Sequence, residues 1–133
     1  MATVSLFATV VAPDELGKAN FVGEALLAGE VVRMSAGVTM KADKATQDGA
    51  RVIGIALCQS HKAGQPGSYQ ESGTLPVGNQ LTQAGRVFVL AATGDIMDID
   101  DLATGEWVAL VGWSTSATEL VISPMPTEYP YPL

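Results

Sequence analysis

Apolar residues along this chain fall in short runs of strand length, separated at close intervals by glycine-containing turns. The runs cover residues 3–11, 31–34, 38–42, 51–57, 67–71, 74–77, 87–92, 107–113 and 120–123. The breaks are pairs such as Ala28-Gly29, Ala36-Gly37, Ser72-Gly73, Ala84-Gly85 and Thr93-Gly94, together with Gly64-Gln65-Pro66-Gly67. Glycine enters positive φ without steric cost, so these are turn chemistries. Many short strands at near-even spacing predict an all-β protein, a small sandwich or barrel. Residues 51–57 and 107–111 are apolar at almost every position, the pattern of strands covered on both faces. Residues 67–71 are more polar, as in a half-exposed strand. Helical periodicity is scarce. Its best places are residues 13–19, with Pro13 near a start, and a turn at 79–84.

The ends read differently from the middle. Residues 1–12 are β-prone and uncharged, so they form either an N-terminal arm or a first strand. Residues 13–123 are expected to fold as the β-domain. Residues 124–133 hold four of the seven prolines, which excludes a helix or a central strand and predicts an extended C-terminal arm. An uncharged β-prone arm is adhesive. Leu6, Phe7 and Val10 in the first arm, and Tyr129, Tyr131 and Leu133 in the second, are candidate interface residues. Trp107 and Trp113 lie six apart in one apolar run, and a period of two places them on one face. They anchor either the core or an interface. There is also a faint internal echo. Gly29-Glu30-Val31-Val32 resembles Gly105-Glu106-Trp107-Val108, and Ile53-Gly54 resembles Val111-Gly112.

Composition narrows the function classes. The chain has 133 residues, room for one domain. Charged residues make up 16% against 47% apolar ones, which is little charge for a lone soluble monomer and suits a surface hidden against another protein. The net charge is −7, and the seven basic residues never form a run. Nucleic acid and anionic membranes are therefore poor partners. No window holds 18 uninterrupted apolar residues, and residues 1–12 lack the basic start of a secretory signal.

The candidate chemistry is thin. Cys58 is the one cysteine and His61 the one histidine, so no internal disulfide forms and no four-ligand Cys/His zinc site exists. A Cys–His nucleophile would have to be this pair, three residues apart. A buried cysteine beside an exposed turn histidine is the stronger reading. Asp95, Asp98, Asp100, Asp101 and Glu106 are the densest acidic cluster. They miss the calcium-loop register, and alternation with Ile96, Met97 and Ile99 points instead to an amphipathic strand. Thr39-Met40-Lys41-Ala42 lacks the second methionine of a biotinyl-lysine signature. Gly64-Gln65-Pro66-Gly67 has no lysine–hydroxyl pair after it, so it is not a phosphate loop. The expectation is a protein that is not an enzyme, with no cofactor and no metal.

Gly29-Glu30-Val31-Val32, Arg51-Val52-Ile53-Gly54-Ile55-Ala56-Leu57, Ala63-Gly64-Gln65 and Ser72-Gly73-Thr74-Leu75, with the closing run from Asp101 to Leu120, resemble the capsid cement (head decoration) proteins of tailed bacteriophages. The resemblance covers roughly residues 29 to 123 and rests on structural turns. It implies a compact β-domain on the outer capsid surface of a virion. It implies the major capsid protein and the chain itself, as a homotrimer, as partners, and no cofactor. A tail or fibre-associated structural module and a small glycan- or ligand-binding β-domain are the other expectations.

Overall fold

The computed structural model describes residues 17–43, 49–57, 59–77, 81, 84–91, 94–101 and 106–131. Ten strands follow one another: β1 Gly17–Phe21, β2 Val31–Ser35, β3 Val38–Lys41, β4 Val52–Ala56, β5 Pro66–Gln70, β6 Gly73–Pro76, β7 Val87–Leu90, β8 Ile96–Asp98, β9 Glu106–Ser116 and β10 Glu119–Tyr131. A single 3₁₀ turn, Ile99–Asp101, is the one helical element among the described residues. The strands form two five-stranded sheets, ordered β1-β5-β4-β2-β3 and β6-β10-β9-β7-β8, and the named strand pairs are all antiparallel. The expected all-β sandwich is what the chain forms.

The second sheet repeats the first. Counting strands from the start of each sheet gives one and the same order, and the registers agree in detail. Val31, Val32 and Arg33 face Ile55, Gly54 and Val52, with Ile53 bulged out. Val87, Phe88 and Val89 face Trp113, Gly112 and Leu110, with Val111 bulged out. Loop contacts repeat as well. Gly29 N donates to Ala56 O and Ala56 N to Glu30 O, as Gly85 N donates to Ser114 O and Ser114 N to Arg86 O. Leu26 N donates to Ser60 O, as Leu81 N donates to Ala117 O. With these anchors the sequence repeat becomes visible. Val22-Gly23-x-x-Leu26 followed by Ala28-Gly29-x-Val31 matches Val77-Gly78-x-x-Leu81 followed by Ala84-Gly85-x-Val87. Gly29 and Gly85 both hold positive φ, 95° and 81°.

The repeated glycines have a packing reason. A Cβ on Gly54 would run into the carbonyl of Gln70, and one on Gly112 into the carbonyl of Val121. At each bulge the neighbouring backbone passes where a side chain would stand, so only glycine fits. Half of the echo expected from the sequence is therefore a true correspondence: Ile53-Gly54 and Val111-Gly112 are equivalent. The other half is not. The counterpart of Gly29-Glu30-Val31-Val32 is Gly85-Arg86-Val87-Phe88, because β2 matches β7 and not β9.

The two units stack face to back. The main core joins Val31, Val52, Ile55 and Leu57 from the back of the first sheet to Leu75, Phe88, Leu90, Ile96, Val111 and Leu120 from the inner face of the second. A second cluster, Val22, Leu26, Val32, Ala56 and Tyr69, lies on the other side of the first sheet. There the sheet bends toward closure: Val22 bridges Thr39 of β3, and Gly23 N donates to Thr39 O. The link between the units is fastened by Gln70, whose buried amide donates to the carbonyls of Ser72 and Thr74.

Three expectations change. Residues 13–19 were expected to turn helical, yet Gly17–Phe21 is strand β1, paired with β5. Cross-strand bonding outweighs a weak local preference in so short a piece. Leu81 and Ala84 are not helical either. The proline-rich C-terminal segment is extended as expected, but it does not stand free. β10 passes residue 124 without a break, and its backbone pairs with β9 as far as Tyr131 opposite Glu106. β6 covers only Glu119–Ile122, and beyond that point β10 has no second neighbouring strand among the described residues. The register shift between Ile122 and Met125 takes in Pro124, which has no N–H to give, and a second shift falls between Pro126 and Pro130.

Candidate interaction surface

The bulge at Val111 decides where the two tryptophans point. Trp107 and Val111 share one face, and Trp107 packs against the main core. An extra residue in a strand reverses the alternation beyond it. After the bulge, buried Ser114 points inward and Trp113 points outward, 44% exposed. The period-of-two expectation that both tryptophans share a face is therefore corrected.

Trp113 sits in a row on the outer face of the second sheet. Its cross-strand partners are Val87 on β7 and Val121 on β10. Val87 is 37% exposed. Met125, opposite Leu110 on the same face, is 56% exposed. Val89, Ala91 and Met97 form a buried cluster beside them, with Leu110 packed against it. This is the largest concentration of exposed apolar side chains among the described residues. The other exposed large apolar residues among those described are Phe21 at the edge of the first sheet, Met34, and Ile99, which follows β8 next to Val87 in the register. Among the expected interface residues, then, Trp113 is at the surface and Trp107 serves the core. Tyr129 and Tyr131 lie on the backbone of β10. Leu6, Phe7, Val10 and Leu133 lie outside the described residues.

The acidic cluster is held by a cation from the protein itself. Arg86 Nε and Nη2 donate to both carboxylate oxygens of Asp98 at 2.6 Å, and Nη2 also reaches Asp100. This fork holds the Asp98 carboxyl below the usual carboxylate range, against the opposing effect of desolvation. Asp95 is pushed up by burial, and Lys41 nearby works the other way. No group of three metal-binding side chains occurs among the described residues. The repeat explains the arrangement: Arg86 and Asp98 occupy the places of Glu30 and Lys41, which pair at 3.8 Å with the signs exchanged. Lys41 ends β3 and is not at a hairpin tip; the tip is Ala36-Gly37, where both residues have positive φ as a two-residue turn of this hand requires.

His61 is exposed in the β4–β5 connection, where its backbone N–H donates to Gln65 Oε1 at 2.6 Å. Cys58 lies outside the described residues. The most exposed apolar surface among the described residues is thus the outer face of the second sheet around Trp113. A scan against protein-family models and a search of curated proteins find no match to this chain.

Proposed function

We infer that this chain is a structural virion protein that binds the outer surface of a phage capsid and stabilises the shell by bridging neighbouring major capsid subunits. The observation that carries the reading is the Val87–Trp113–Val121 face: an aromatic anchor in an apolar row on a sheet face is the form of a protein-contact surface. Low charge and the resemblance of residues 29 to 123 to cement proteins support it. A homotrimer would engage several shell sites at once, so weak single contacts suffice through avidity.

The test is a density gradient of a native lysate from the source, with the chain followed by immunoblot. Co-migration with megadalton particles that survives moderate salt is expected. Recovery in the light fractions, while major capsid protein runs heavy, would overturn the reading. Imaging of the particles separates the shell from a tail or fibre position. Deleting residues 1–12 is expected to abolish particle binding and leave the β-domain folded. The C-terminal segment needs side-chain substitutions such as Tyr129→Ser with Tyr131→Ser, because truncation at residue 124 would strip paired strand from β9.

A second reading, a glycan-binding β-domain, draws on the same exposed Trp113, since a sugar ring stacks on an aromatic face. A glycan array with no signal above background counts against it.

A further inference from the structure

The hairpins β2–β3 and β7–β8 are counterparts, yet they end differently. Val32, Arg33, Met34 and Ser35 face Lys41, Met40, Thr39 and Val38. Phe88, Val89 and Leu90 face Asp98, Met97 and Ile96, and Ala91 N donates to Asp95 O. In this register Gly94 and Asp95 stand where the first unit has Gly37 and Val38. Gly37 and Gly94 share a positive φ, 85° and 80°. Gly37 is exposed, with open space where a Cβ would stand. Gly94 is buried against the first unit: Val31 N donates to its carbonyl at 2.8 Å, and its own N–H donates to Ala42 O at 2.9 Å. A Cβ on Gly94 would come within 3.0 Å of Glu30 Oε2. The step that points into solvent in the first unit is thus docked in the second. Beside the docked glycine stands a carboxylate, where burial favours the valine of the exposed counterpart.

We propose that Gly94 and Asp95 form a latch between the two units that tightens in acid. Lys41 is the charge of the first unit that bears on Asp95. The same lysine pairs with Glu30 at 3.8 Å, so two carboxylates, one from each unit, draw on one ammonium. The other charged groups around Lys41 belong to the first unit. Glu30 Oε1 accepts the Leu27 N–H, Glu24 Oε2 accepts the Lys41 backbone N–H, and Arg33 Nε donates to the Lys41 carbonyl. Asp43 follows two residues after Lys41. On the hairpin of Asp95 itself, Asp98 and Asp100 are bound by Arg86. Burial raises the Asp95 carboxyl by more than Lys41 lowers it. Its charge therefore opposes docking at neutral pH. That opposition lifts as pH falls through the raised folded value and is gone below the unfolded value of about 3.9. The latch belongs to the joint between the units and does not depend on shell binding.

Amide hydrogen exchange of the purified full chain tests it, followed by NMR between about pH 4 and pH 8 and corrected for the intrinsic effect of pH on exchange. The Val31 and Gly94 amides are the reporters, because each donates one of the latch bonds. The Leu26 amide, bonded to Ser60 O within the first unit, is the control. Protection at Val31 and Gly94 is expected to rise relative to Leu26 as pH falls. Asp95→Asn is expected to hold that ratio high across the whole range. Circular dichroism verifies the fold of the variant. A measurement without substitution runs alongside: the carboxyl carbon of wild-type Asp95 should titrate above the ordinary aspartate value. A protection ratio that does not move with pH, an Asp95→Asn chain whose ratio is lower than that of wild type at neutral pH, or a carboxyl that titrates at or below the ordinary value overturns the proposal.

Discussion

Replacing Gly112 by alanine would set a methyl group against the carbonyl of Val121, and Gly54→Ala would do the same at Gln70. The obstacle is backbone on a paired strand, which cannot turn away as a side-chain end would. Each substitution is expected to cost about 3 kcal/mol. Gly37→Ala is the control: it has positive φ but open space around it, so its cost should be about 1 kcal/mol. Urea midpoints of the three variants check this. Single residues also set the acid response. Asp98 is depressed by Arg86, so its contribution to stability is present above the unfolded carboxylate range, near pH 3.9, and is lost as pH falls through the lower folded value. Asp98→Asn should therefore lower the urea midpoint at neutral pH, with the gap to wild type closing below about pH 4.

At the scale of elements, the bulge in β9 gives its two tryptophans different work. Trp107→Ala removes a side chain packed on the main core and should cost about 2–3 kcal/mol, whereas Trp113→Ala should cost less than about 1 kcal/mol. Equilibrium unfolding separates them, and an equal loss would mean that the bulge does not divide the faces. The paired hairpins β2–β3 and β7–β8 carry the same ion pair with exchanged signs. Arg86→Glu and Asp98→Lys should each destabilise alone, because each sets like charges together. The double exchange should recover most of the loss, since the first unit already folds with that polarity. A double-mutant cycle by thermal unfolding reads this directly; additive losses would show that the pair contributes nothing.

At the scale of the whole molecule, one core belongs to both units. Val31, Val52, Ile55 and Leu57 are buried only because the second sheet lies on them. The chain should unfold in a single transition by fluorescence and circular dichroism alike, and residues 1–72 expressed alone should not persist as a soluble monomer. The all-β class, most strand positions and the glycine turns follow from the sequence by itself, because alternation and positive-φ glycine are properties of a few neighbouring residues. The sequence also marks Ile53-Gly54 and Val111-Gly112 as alike. Only the tertiary structure decides the rest. Which strand lies beside which cannot be read from local pattern, so the true partner of residues 29–32 emerged at 85–88. β1 exists because β5 offers it hydrogen bonds, and Pro124 is accommodated where the register of β10 against β9 shifts. Trp113 faces outward because of one extra residue, Val111, that is defined only against the register of β7.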